Sequence, residues 1–171
     1  MFKKAITLIF VSLLLQACGA AHVRDVTSSE DIDNYTAAYI AEVKVISTES
    51  NPDATAINAD MKRYVQTKLT DIINAKPYQT IPADDAKTKN ALAFNVDISV
   101  TYGSRAARYF GGFGAGKGSV NSRLRVYDSV SKQSVFSSTA ASELKFGAFG
   151  GNMQTVLKEN IDKLLATYPQ N

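Results

Sequence analysis

The sequence predicts an α+β domain of two layers, a mixed and mostly antiparallel sheet with both helices on one face. Three observations predict it. Two successive stretches, near 91–102 and 119–128, alternate apolar and polar residues, the period of a half-buried strand, and a third strand follows near 134–146. Two others, near 51–76 and 153–168, repeat apolar residues at three and four, the period of an amphipathic helix. The resulting order is strand, helix, short strand, three-strand meander, helix. Helices gathered on one face of such a sheet bury both apolar surfaces at once.

The chain opens with Lys3 and Lys4, then an uncharged apolar run from Ala5 to Leu15, then small residues around a cysteine. That layout is an export signal, and the run is about half of the roughly 20 residues a spanning helix needs. Leu15-Gln16-Ala17-Cys18 resembles the lipobox of bacterial lipoproteins. The resemblance implies that residues 1–17 are removed and that the Cys18 thiol takes a diacylglycerol, with the new amine acylated. Each buried methylene contributes about 0.8 kcal/mol, so two or three chains hold permanently. Gly19, where an Asp would retain a lipoprotein at the inner membrane, implies the periplasmic face of the outer membrane. Residues 18–36 read as the lipidated N-terminus and a flexible tether, and 37–171 as a single domain. Stretched fully, some 18 residues reach roughly 60 Å.

Within the domain, Ala38–Ser47 is a β-branched strand. Asn51-Pro52-Asp53 opens a helix: Asn51 can cap, Pro52 suits the first helical position and Asp53 favours the positive dipole end. Ile57, Met61, Tyr64, Val65, Leu69, Ile72 and Ile73 form its stripe, and Lys76-Pro77 ends it. Residues 78–81 are a short strand and 82–90 a polar loop. In 91–102, Leu92, Phe94, Val96, Ile98, Val100 and Tyr102 share one face, while Ala93, Asn95, Asp97, Ser99 and Thr101 share the wet one. In 119–128, Val120, Leu124 and Val126 point inward and Asn121, Arg123, Arg125 and Tyr127 outward. If these two strands form a hairpin, Tyr102 pairs near Val120 and Asp97 lies near Arg125. A turn at 128–133 leads to the third strand. The last helix buries Met153, Val156, Leu157, Ile161, Leu164 and Leu165.

Between the hairpin strands lies GSRAARYFGGFGAGKG, residues 103–118. Gly111–Lys117 satisfies G-x-x-x-x-G-K, but three facts oppose phosphate binding. Gly118 stands where a Ser or Thr would bind magnesium, no helix follows, and the flanking strands are a hairpin. From Gly103 to Tyr127 there are five cations, Arg105, Arg108, Lys117, Arg123 and Arg125, and no acid. The exposed pile-up of Arg105, Arg108, Tyr109, Phe110, Phe113 and Lys117 on a glycine-rich backbone reads as a docking tip. The competing reading is a mobile loop with solvated charges.

Little else carries chemistry. The whole chain has 19 basic and 16 acidic residues, net +3. Without Lys3 and Lys4 the balance is 17 to 16, which argues against nucleic acid as a partner. Cys18 is the one cysteine and His22 the one histidine, so no disulfide, zinc site or Cys-His or Ser-His pair can be assembled. Asp84-Asp85 lies in a polar loop, where solvated charge is the commoner role. No metal or cofactor is expected.

The strand around Asp97, the RAARYFGGFGAGKG loop and the RLRVYD strand resemble an uncharacterised family of bacterial lipoproteins, the domain of unknown function numbered forty-four-ten. The resemblance covers most of the chain after Cys18 and brings no catalytic residues. The element order is more distantly similar to periplasmic domains of envelope lipoproteins, among them activators of cell-wall synthases and the curli-secretion lipoprotein. That is analogy of fold. The expectation is a non-enzymatic interaction module, membrane-held through Cys18, whose partner is an envelope protein or an anionic envelope component. The alternatives are a cell-wall enzyme and a binder of lipid or surface ligands.

Overall fold

Alternation puts Leu92, Phe94, Val96, Ile98 and Val100 on one side of a single strand, and in the computed structural model all five are buried. The structure describes residues 21–29, 32, 34–49, 52–87, 90–102, 118–144 and 152–169. Along them run β1 (His22–Ser28), β2 (Ala37–Ser47), α1 (Pro52–Asn74), β3 (Gln79–Thr80), β4 (Ala91–Thr101), β5 (Gly118–Asp128), β6 (Ser134–Leu144) and α2 (Met153–Leu165). A single turn of 3-10 helix, Asp85–Lys87, lies between β3 and β4.

The strands make one six-stranded sheet in the order β1-β6-β5-β4-β2-β3. The meander β4-β5-β6 and the added β1 are antiparallel, while β2 runs parallel to β4 and β3. A parallel neighbour requires a crossover, and α1 supplies it between β2 and β4. The fold is the expected two-layer α+β class, with a mixed sheet.

Both helices pack on the even-numbered face of the meander. The core joins the β4 residues to Val120, Leu124, Val126, Phe136 and Ala140 of the sheet, Met61, Val65, Leu69 and Ile73 of α1, and Leu157, Ile161 and Leu164 of α2. Tyr168, just past α2, closes its lower end, edge-on to Phe94 and Phe136 with ring centroids 5.2 Å away in each case. One buried polar bridge crosses the layers: Ser122 donates to Asn160 of α2, and Asn160 Nδ2 donates to Ser142 Oγ at 2.8 Å. Tyr64 of α1 donates to Asp162 of α2 at 2.6 Å, and burial together with that carboxylate pushes the phenol up to about 12.

Two features differ from the sequence reading. Residues 22–28, assigned there to the tether, form β1, and Ala21, Ile32 and Tyr35 around them are buried. Tyr35 donates to Asp128 Oδ2 at 3.0 Å, fixing the segment to the β5–β6 turn. The hairpin is also paired two residues away from expectation: Val100, not Tyr102, opposes Val120.

Candidate functional site

The helices leave the odd-numbered face of the sheet open. Among the described residues, one end of it is covered: Ile81 and Ala86, on the segment after β3, pack against Ala37, Tyr39, Ala91 and Ala93, with Tyr127 alongside. Strand pairing sorts the rest into rows that run across five strands. The first row is Ile46, Ser99, Asn121, Ala141 and His22; the second is Lys44, Asp97, Arg123, Thr139 and Arg24. The third is Glu42, Asn95, Arg125, Ser137 and Thr27.

The side chains of these rows decide the relief. Ser99, Asn121, Thr139 and Ala141 are short, and Arg24, Asp25, Ile46, Asp97 and Arg123 stand around them. The result is a shallow basin of about 370 Å³ spanning β1 to β2. Its apolar patch is Ile46, which is 51 % exposed. A basin this open suits a ligand laid across the strands better than an enclosed small molecule.

Its electrostatics are set by the second row. Asp97 is opposed directly by Lys44 and by Arg123, yet its carboxylate is held by Arg125 from the next row. For Arg125, burial works to lower the pKa, but the Asp97 carboxylate and Tyr127 outweigh it and hold the guanidinium above its ordinary value. Arg125 also lies 5.8 Å from the Tyr127 ring centroid. Beside the pair, Asn95 Oδ1 and Arg125 Nε are buried without a hydrogen-bond partner among the described residues. Arg24, Lys44 and Arg123 are exposed and form no ion pair among the described residues. Asp25 sits in a β1 bulge at φ 54°, where Thr139 Oγ1 donates to its carboxylate at 3.3 Å and to the Arg24 carbonyl at 3.0 Å. That bulge re-aims the chain so that Arg24 and Asp25 both border the basin.

Cys18 lies outside the described residues, as do Arg105, Arg108, Tyr109, Phe110, Phe113 and Lys117. Their flanks are described: Tyr102 and Gly118 lie at the same end of the sheet, and Tyr102 donates to Asn58 of α1 at 3.3 Å. Sequence reasoning put Arg123 and Arg125 with Asp97 on the wet face. It missed Arg24, because the stretch around it shows no alternation, and Lys44, because the parallel pairing of β2 with β4 leaves no local trace. Among the described residues no group of three or more His, Cys, Asp or Glu is placed to hold a metal ion. No described helix is long and apolar enough to cross a membrane.

Residues 31–160 match the domain of unknown function DUF4410, so the chain belongs to that family. No curated protein matches. Among solved structures, a point variant of the PelC dodecamer from Paraburkholderia phytofirmans is similar at 16 % identity and TM-score 0.50, over 86 % of this chain and 95 % of that one. A neuraminyllactose-binding hemagglutinin homologue from Helicobacter pylori follows at 9 % identity and TM-score 0.45, over 84 % and 87 %. Lipoprotein GNA1162 from Neisseria meningitidis is at 10 % identity and TM-score 0.36, over 78 % and 98 %. At these identities the likeness is one of fold.

Proposed function

We propose that this protein is a non-enzymatic binding module of the cell envelope, anchored through Cys18 to the periplasmic face of the outer membrane. In this reading the sheet face opposite α1 and α2 takes an extended acidic segment of an envelope protein. The observation that carries it is the second row, where Arg24 and Arg123 line an open basin, Lys44 stands in the same row beside Asp97, and none of the three has an ion-pair partner among the described residues. Spread cations of this kind recognise a run of carboxylates, and each contact is weak, about 0–1 kcal/mol, so affinity comes from several together. The anchor reading draws support from the lipobox and from Gly19. Two arms test it. A photo-crosslinking residue at Asn121 should give a discrete protein adduct in living cells, and one at Thr67 on the outer side of α1 should not. Cys18→Ser should end labelling by radioactive palmitate, and Gly19→Asp should shift the protein toward inner-membrane fractions on a density gradient. Adducts from both positions, from neither, or with polysaccharide instead of protein contradict the docking reading. Continued palmitate labelling contradicts the anchor.

The open edges favour a second reading, self-association. The outer side of β1 is unpaired among the described strands, and so is β2 beyond Ala38. β1 runs antiparallel to β2, so the β1 edge of one copy laid on the β2 edge of the next would continue the sheet head to tail. Such a contact closes into a ring or grows into a filament, and the similar PelC structure is a dodecamer. Native mass spectrometry of the protein starting at Gly19 tests this; a monomer at all concentrations excludes it.

A further inference from the structure

We infer that the domain is held against the bilayer of its own anchor by the end of the sheet where β1 begins, and cannot reach out into the periplasm. The inference rests on the Cys18 anchor of the preceding reading. Ala21 is already part of the folded domain: it is 7 % exposed, and its carbonyl accepts from Lys163 Nζ of α2 at 3.2 Å. His22 then pairs with Ala141 of β6. Only Gly19 and Ala20 separate this fixed point from Cys18. Three Cα steps span at most about 11 Å, and the headgroup layer alone is about 5–8 Å deep on each side. The roughly 60 Å of free tether that the sequence offers is therefore not there.

The chain leaves β1 along the strand direction, so the shortest path to the lipid stands the strands upright. The end that meets the surface is defined by register. Thr48 donates its N–H to the Val100 carbonyl at 3.1 Å, and Thr101 pairs with Ser119. Ser47, Thr101 and Gly118 thus lie at the end from which His22 departs. The opposite end is the β5–β6 turn, where Val130 is 59 % exposed. Strands of 11 residues, as β5 is, are about 36 Å long, so the two ends differ greatly in height. The occupant of the lower end is the phospholipid surface of the anchor's own leaflet. As a consequence the basin looks sideways, along the membrane plane.

The test uses the full lipidated protein in vesicles of phosphatidylethanolamine and phosphatidylglycerol that carry a headgroup quencher. Thr101→Cys and Val130→Cys are each labelled with a fluorophore; the Cys18 sulfur, being a thioether, does not react. Quenching at Thr101 should exceed that at Val130 several-fold, and inserting a flexible Gly-Ser segment after Gly19 should remove the difference. Equal or reversed quenching overturns the orientation, and a difference that survives the insertion overturns the tether argument. Mass spectrometry of the N-terminal peptide separates the two failures. Without acyl groups the anchor reading falls and the orientation with it. Acylated protein with equal quenching sinks the orientation alone.

Discussion

Asn160 stands where the stripe of α2 calls for an apolar residue, yet it is fully buried between Leu157 and Ile161. Ser122 and Ser142 on the sheet are its partners. Asn160→Ala removes both and leaves two buried hydroxyls open, so urea unfolding should show a loss of about 1–3 kcal/mol. Asp97→Asn, by contrast, weakens an ion pair whose side chains are 36 % exposed. It should cost less than about 1 kcal/mol. Asp128 gives a pH signature. Burial alone would raise its pKa, but N–H groups of Ser131 and Val130 and the Tyr35 hydroxyl hold the carboxylate and bring it below the ordinary value. A depressed folded pKa means stability that is present above the unfolded pKa, about 3.9, and lost as pH falls through the folded one. Denaturant midpoints measured from pH 6 down to pH 2 should therefore fall for the native protein and fall less steeply for Asp128→Asn. The Asn160 bridge and the Tyr35–Asp128 bond were not legible in the sequence, because each joins residues far apart in the chain, whereas the Asp97–Arg125 pair was legible from the alternation of two neighbouring strands.

Elements were more legible than contacts. The helix from Pro52 follows its stripe, with Met61, Val65, Leu69 and Ile73 buried and Ile57, Tyr64 and Ile72 half-buried. The β4–β5 pairing shows why a partial reading succeeded. The slip of two residues preserves which face each side chain takes, since facing alternates with period two. Asp97 and Arg125 consequently meet as expected, although Arg123 is the direct neighbour. β1 escaped because HVRDVTS is exposed throughout and broken by the bulge at Asp25, so it has no periodic pattern to read. Its role is structural as well as positional. Deleting residues 21–29 strips Ala21 from the domain and bares the β6 edge, and the expected result is a melting temperature lower by several degrees together with concentration-dependent aggregation. The 103–117 connection should behave differently. β4 ends at Thr101 and β5 starts at Gly118, so replacing residues 109–117 by a tight Asn-Gly turn should leave the melting curve unchanged. A collapse would mean that Tyr109, Phe110 or Phe113 packs on the domain and is not free to dock.

At the scale of the whole molecule, one face of the sheet is spent on the core and the other carries neither of the described helices. The sequence showed that a wet face exists, from the odd-numbered residues of β4 and β5. It did not show the face's width, which depends on adding β2 in parallel and β1 at the far edge. Only the assembled sheet brings Arg24, Lys44 and Arg123 into one row, from segments scattered along the chain. That row is the centre of the account, and its charge is the property to remove. The measurement is the yield of the Asn121 crosslink as a function of salt, in the native protein and in the triple variant Arg24→Gln, Lys44→Gln, Arg123→Gln. All three side chains are exposed, so the variant should melt as the native protein does. The account predicts that native yield falls steeply as ionic strength rises, and that the variant's yield is several-fold lower at low salt and nearly flat. A folded variant with undiminished, equally salt-sensitive crosslinking would contradict it.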